Sequence, residues 1–90
     1  GGHGDTVTDP AGRARELIAH HDERLRQAAA ALGPEPGTGY EVSYALFGDD
    51  LRPAARRFAV AETLSHLERL VRDGRAERRD DVEHVSYTAA

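Results

Sequence analysis

Histidine is the residue type in this sequence best suited to chemistry, and five histidines are spread over its 90 residues. His20 and His21 are adjacent in a helical pattern, so their side chains point about 100° apart and do not converge on one metal ion. His66 and His84 are single histidines, and we interpret each as lacking a carboxylate or nucleophile partner nearby in the sequence. A structural role in packing is therefore the simpler interpretation of these four residues.

The serines and the paired acidic residues match no catalytic or calcium-binding pattern. Ser43, Ser65 and Ser86 lie outside a Gly-x-Ser-x-Gly context. The pairs Asp49-Asp50 and Asp80-Asp81 lack EF-hand spacing, and we expect them to cap helices or to solvate turns. Cysteine is absent from the sequence, which excludes a thiol nucleophile and a thiolate metal site. These 90 residues alone are therefore predicted to be non-catalytic and to carry no cofactor.

Length and composition favour one small soluble domain. The hydrophobic fraction of 39% is enough for a single core. No stretch approaches the roughly 20 apolar residues that span a bilayer, and no apolar signal-peptide core opens the chain. We therefore expect a cytoplasmic protein with no membrane partner, and a homodimer is compatible with the sequence. Because the chain opens with Gly1 and not with methionine, we expect it to begin either within a longer protein or after residues added by cloning.

Helical spacing of apolar residues predicts a long first helix and a short second one. Asp9-Pro10 is typical of a helix start, with Asp as the cap and Pro at the first helical position. Gly33-Pro34 is typical of a helix end. The apolar stripe between them consists of Ala14, Leu17, Ile18, His21, Leu25, Ala28 and Leu32. Thr38 and Glu41 have the spacing of a capping box, which predicts a second helix ending at Gly48.

A third helix and a hairpin complete the predicted fold. The helix begins between Leu51 and Pro53, ends at Asp73 with Gly74 as its cap, and places Leu67 in its buried stripe. Val85 and Tyr87 alternate with polar residues, which predicts a strand paired with residues 75–79 through a turn at residues 79–82. An isolated hairpin is not stable, so it must pack on the helices. The predicted fold is mainly α: a winged helix with three helices and a two-stranded antiparallel wing.

Arginines occupy the positions from which a winged helix would contact DNA. Arg52, Arg56 and Arg57 lie near the start of the third helix, and Arg78 and Arg79 lie in the wing. The net charge is nevertheless −4, and acidic residues lie beside these arginines. Such a surface lacks the basic face that neutralises phosphates. Nucleic acid is therefore not the expected partner, and a stand-alone winged-helix DNA-binding regulator is kept as the alternative.

Several short motifs follow one another in a recurrent order. They are Gly2-His3-Gly4, Asp9-Pro10, His20 with Arg24, the run from Thr38 to Tyr44, Ala55, and the run from His66 to Gly74. In this order the chain resembles the C-terminal winged-helix extension of metallo-β-lactamase-fold hydrolases, the group that includes the β-lactamase-like endoribonuclease. His21 occupies the position at which that group usually has an arginine. A contact that the group makes through this arginine is therefore not expected in this chain.

The resemblance implies a domain organisation and a function. Residues 1–10 would be the residual C-terminal loop of a lost catalytic domain, and residues 11–90 the winged-helix domain. Two metal ions, usually zinc, would activate water in the parent protein. Most of their ligands would come from a His-x-His-x-Asp-His motif that this sequence lacks, and His3 would be the last metal ligand. The chain would then be an accessory domain that helps to shape the substrate pocket of its own catalytic domain.

Overall fold

The computed structural model describes residues 10–90, which form three helices and three short strands. The elements are α1 (Pro10–Ala31), β1 (Gly37–Thr38), α2 (Gly39–Phe47), α3 (Pro53–Arg72), β2 (Ala76–Asp80) and β3 (Val85–Ala89). This confirms the predicted fold class of three helices with a small antiparallel wing. Within the described range, no helix is both long and apolar enough to cross a membrane.

The ends of α2 are set by contacts between residues close in sequence. Thr38 Oγ1 accepts a hydrogen bond from the Glu41 amide at 3.1 Å, and Glu41 Oε1 accepts one from the Thr38 amide at 2.9 Å. This reciprocal pair is the predicted capping box. At the other end Gly48 has a positive φ of 82°, and its amide donates to the Tyr44 carbonyl at 2.9 Å. Both predicted boundaries of this helix are therefore confirmed.

The wing is larger than the predicted hairpin because a third strand joins it. The strand order is β1-β3-β2, and both pairings are antiparallel. In the central strand Tyr87 lies opposite Arg78 on one side and Gly37 on the other. The predicted turn at residues 79–82 was wrong by two positions: Asp80 still pairs with Val85. The turn is instead closed by the Asp81 amide, which donates to the His84 carbonyl at 2.9 Å.

The core lies where the three helices meet the inner face of the sheet. Leu67 and Leu70 of α3 are fully buried, and Tyr87 of β3 is 2% exposed. Ala28, Val42 and Ala76 complete the buried cluster. The predicted burial of Leu67 is confirmed, and the wing packs on the helices through Tyr87, as the instability of a lone hairpin requires.

Only the second half of α1 takes part in this core. Ala28 belongs to the buried cluster and Leu25 packs against it, whereas Leu17 is 50% exposed and Ile18 is 61% exposed. The helix runs from Pro10 as predicted, and Asp9 lies outside the described residues. The first half of the apolar stripe thus has the predicted spacing but lies outside the core of the domain.

Candidate functional site

A cleft between α1 and α3 brings histidine, carboxylate and arginine side chains together. Its volume is about 450 Å³. Residues that line it are Ile18, His21 and Asp22 from α1, and Glu62, His66 and Arg69 from α3. The packing of α1 on α3 is what brings His21 and His66 together, because they are 45 positions apart in the sequence.

His66 is the buried member of this group. The residue is 6% exposed, and Nε2 has no hydrogen-bond partner among the described residues. Glu62 Oε2 lies 3.7 Å from Nε2, beyond hydrogen-bonding distance. Burial lowers the pKa of His66 below its usual value, and the nearby Glu62 carboxylate opposes this effect only in part. The cleft therefore favours the neutral form of His66.

The interpretation of His66 as a structural residue agrees with this burial, but its supposed isolation from carboxylates was wrong. Glu62 precedes it by four positions, which is one helical turn. The ring of His21 also contacts His66 in a T-shaped arrangement, with centroids 5.8 Å apart. The spacing of Glu62 and His66 was visible in the sequence, whereas the approach of His21 depends on how α1 crosses α3.

Arg24 connects α1 to both other helices. Its Nη1 donates to the Leu46 carbonyl at the end of α2, at 3.2 Å, and its guanidinium lies over the Phe47 ring, 4.3 Å from the centroid. Its Nε is 4.0 Å from Glu62 Oε2. His20, one turn earlier, is exposed. Of the two residues in the His20–Arg24 motif, Arg24 thus stabilises the helix packing while His20 lies on the surface.

The described part of the chain contains no cluster of side chains that could hold a metal ion, and two of its three serines are buried. Within residues 10–90, no three His, Asp or Glu side chains lie close enough together to hold a metal ion. Ser43 is buried, donates to the Tyr40 carbonyl at 2.6 Å and accepts from Arg56. Ser86 is buried in β3. His3, the predicted metal ligand, lies outside the described residues.

Two of the five arginines that could have faced DNA are engaged within the domain. Arg56 is 8% exposed. It donates to Ser43 Oγ at 3.0 Å and to the Gly48 carbonyl, and it stacks on the Tyr44 ring at 3.7 Å. Arg56 therefore joins α3 to α2, and its guanidinium is not free for the base contacts that its position in a winged helix would allow.

Arg78 forms ion pairs with two carboxylates at the surface of the wing. Its guanidinium contacts Asp80 at 2.9 Å and Glu68 at 3.1 Å, and both carboxylates raise the pKa of Arg78 above its ordinary value. The remaining three candidates, Arg52, Arg57 and Arg79, are exposed. The surface available for phosphate contacts is thus smaller than the sequence indicated.

A second groove, between α2 and α3, was not predicted. It has a volume of about 410 Å³. Tyr40, Arg57, Val60 and Leu64 are among the residues that line it. The hydroxyl groups of Tyr40 and Tyr44 are hydrogen-bonded at 2.8 Å at its edge. The spacing of the two tyrosines by four positions was the available sequence signal.

Comparison with known proteins places this domain in a larger context. A family model described as "Metallo-beta-lactamase-like, C-terminal domain" matches residues 25–89, which is more than half of the chain. Among curated proteins, no sequence matches significantly.

A solved structure supports the same relationship. The crystal structure of a beta-lactamase domain protein from Burkholderia ambifaria is similar with a TM-score of 0.76 and 28% sequence identity. The similarity covers 88% of this chain and 24% of the Burkholderia chain, so the chain spans about a quarter of the length of that protein. Since the family match covers most of the chain and the similar structure has the same fold, this chain belongs to the family of metallo-β-lactamase-like C-terminal domains.

Proposed function

We propose that the chain is an accessory domain of a metal-dependent metallo-β-lactamase-superfamily hydrolase and is not catalytic by itself. In this proposal it packs on its own catalytic domain and helps to shape the substrate pocket. The observation that carries the proposal is the combination of a match to a C-terminal domain family with a similarity that spans only 24% of a beta-lactamase domain protein. A chain with this relationship corresponds to one part of a larger enzyme.

The metal centre of such an enzyme does not fit the described part of the chain. Residues 10–90 offer no cluster of three ligands, and a stable zinc site needs three or four preorganised ligands. The proposal therefore assigns the two zinc ions to the catalytic domain of the longer protein. His3 would contribute one ligand to them from the connection between the two domains.

The arrangement of the arginines supports this proposal over a DNA-binding regulator. Arg56 and Arg78 make contacts within the domain, and the formal net charge of the chain is −4. Arg52, Arg57 and Arg79 remain exposed and are the residues that favour the regulator. Non-specific DNA affinity depends on the number of neutralised phosphates, and the 16 acidic residues of the chain outnumber its 12 arginines.

Sequencing the source gene upstream of the Gly1 codon tests the proposal directly. An open frame of roughly 150–200 residues, a typical domain length, with a His-x-His-x-Asp-His motif is the expected result. A start codon immediately before Gly1 would contradict the proposal and leave the regulator as the leading function.

A salt titration of duplex DNA binding provides an independent measurement. For the accessory domain we expect no measurable binding of a labelled random duplex at physiological salt. A regulator would instead bind, with an affinity that falls steeply as salt is raised. The variant Arg57→Gln would then weaken this binding, and Arg79→Gln would show whether the wing contributes.

A further inference from the structure

We propose that the exposed half of α1 is the surface on which the preceding catalytic domain docks; this inference rests on the proposed function. We define the α1 face as Leu17, Ile18 and His21. Leu17 and Ile18 are 50% and 61% exposed, and His21 is exposed beside them at the edge of the α1–α3 cleft. Adjacent aliphatic side chains in water favour an occupant that removes this apolar surface from solvent.

The α1 face is the continuation of a stripe that is already buried elsewhere on the same helix. Leu25 and Ala28 lie further along that stripe and pack into the core. The helical spacing of apolar residues does not change between the buried and the exposed halves. A helix with a solvated first half would be expected to turn polar there, because surface helices keep polar residues on their solvent side. The α1 face therefore has the sequence of a helix surface that is covered.

The position of the α1 face identifies the occupant. It lies on the N-terminal half of the first element of a C-terminal domain, so chain that precedes this domain arrives at this end. The similar Burkholderia protein is about four times longer than the matched region. Residues 10–21 of α1 are about 18 Å long, so a domain joined to the start of this helix lies within reach of the α1 face. Such a domain has a high effective concentration there.

The other large exposed apolar residues lie outside α1, and among them Tyr40 and Tyr44 of α2 are hydrogen-bonded to each other through their hydroxyl groups. Phe58 on α3 is 72% exposed, and Val82 in the turn between β2 and β3 is 98% exposed. Neither lies on the stripe of α1, and singly exposed apolar residues are normal on protein surfaces. These two residues provide matched controls, since each is at least as exposed as Leu17 or Ile18.

The experiment compares variants of the 90-residue chain and of the longer gene product that contains it. The double variant Leu17→Gln/Ile18→Gln removes the apolar surface but keeps residues compatible with a helix. In the 90-residue chain we expect its thermal midpoint to match that of the unchanged chain, because both side chains are already exposed. In the longer protein we expect backbone amides of residues 14–21 to lose protection from hydrogen exchange by about tenfold or more, as an undocked segment does.

The controls and the measured oligomeric state make the outcomes decisive. Phe58→Gln and Val82→Gln in the longer protein are expected to leave the protection of residues 14–21 unchanged. Equal protection in the double variant and the unchanged protein would overturn the docking surface while leaving the proposed function intact. An upstream gene without a hydrolase domain would overturn both. Sedimentation measures whether the 90-residue chain forms a dimer. If the unchanged chain dimerises and the double variant does not, a second copy occupies the α1 face, and the inference is overturned.

Discussion

Gly39 at the start of α2 lies directly against Leu64 of α3, and this contact leaves no room for a β-carbon. A Cβ atom on Gly39 would lie 2.7 Å from Leu64 Cγ and 3.6 Å from Leu64 Cδ1. The first distance is shorter than carbon atoms tolerate, so either the leucine or the helix would have to move. The close packing of α2 on α3 therefore depends on the absence of a side chain at position 39.

We expect Gly39→Ala to lower the free energy of unfolding by about 1–3 kcal/mol, as overpacking in a core does. Urea denaturation measures this change. Gly33→Ala is the matched control, because a Cβ there meets no atom within 4 Å and its φ is not positive. That variant should be neutral or slightly stabilising, since alanine reduces the entropy of the unfolded chain. Equal losses in the two variants would contradict the role of the Leu64 contact.

Replacing leucine by alanine should change the free energy of unfolding much more at Leu67 than at Leu17. Leu67 is fully buried and Leu17 is half exposed. We expect Leu67→Ala to cost about 2–5 kcal/mol through lost burial and the cavity that remains. Leu17→Ala should change the stability of the 90-residue chain by less than about 0.5 kcal/mol, as surface substitutions do. A large loss for Leu17→Ala, measured by urea denaturation, would mean that the first half of α1 packs on this domain after all.

Helix boundaries were predictable because they depend on residues close in sequence. The Thr38–Glu41 capping box joins residues three positions apart, and Gly48 and Gly74 adopt the positive φ that glycine allows most readily. Such contacts do not depend on the rest of the fold. The two-residue strand β1 was missed for the opposite reason: it is too short to show alternation, and only its pairing with Tyr87 and Ser86 makes it a strand.

The burial of particular side chains was harder to predict because it depends on which other elements reach them. Arg56 and Arg57 are adjacent, yet the first is buried under α2 and the second is exposed. Leu17 and Leu25 share one stripe, yet only the second meets the core. In the candidate site, Glu62 and His66 could be paired from their spacing. His21 could be added only once the crossing of α1 and α3 was known.

We expect deprotonation of Tyr87 to lower the free energy of unfolding at high pH. Its hydroxyl donates to Glu68 Oε2 at 2.6 Å. Burial, together with this carboxylate, raises the pKa of Tyr87 to about 12 in the folded state. Because the folded state holds this proton more tightly than the unfolded state, the contribution is complete below about pH 10 and is lost as the pH rises towards 12.

Tyr87→Phe is the variant that tests this contribution. It keeps the ring but removes the hydrogen bond to a charged acceptor, so we expect a loss of about 1–2 kcal/mol near pH 7. Urea denaturation at pH 8 and pH 10.5 should show a smaller decline for the variant than for the unchanged chain. Tyr40→Phe is the comparison, because the hydrogen bond to Tyr44 also raises the pKa of Tyr40 in the folded state; this variant measures the part of the decline that does not come from Tyr87. If Tyr87→Phe showed the same decline as the unchanged chain, another group would be responsible.

We expect protonation of His66 to lower the free energy of unfolding below neutral pH. Its pKa is lowered by burial in the cleft, against a partial opposing effect of Glu62. The unfolded chain, with a histidine pKa near 6.5, therefore binds a proton at a higher pH than the folded chain does. The stabilisation is complete above about pH 6.5, decreases as the pH falls below that value, and is gone once the pH is below the folded pKa.

Substitution of His66 by glutamine removes this titration but keeps a polar side chain of similar length. We expect the urea midpoint of the unchanged chain to fall between pH 7.5 and pH 5 more steeply than that of His66→Gln. His84→Gln is the control, because His84 lies exposed in the turn between β2 and β3, and it should retain the steep decline. A decline of the same slope in His66→Gln would show that protonation of His66 does not limit stability in acid. In that case His66 would bind its proton equally well in the folded and unfolded states, and the lowered pKa would be wrong.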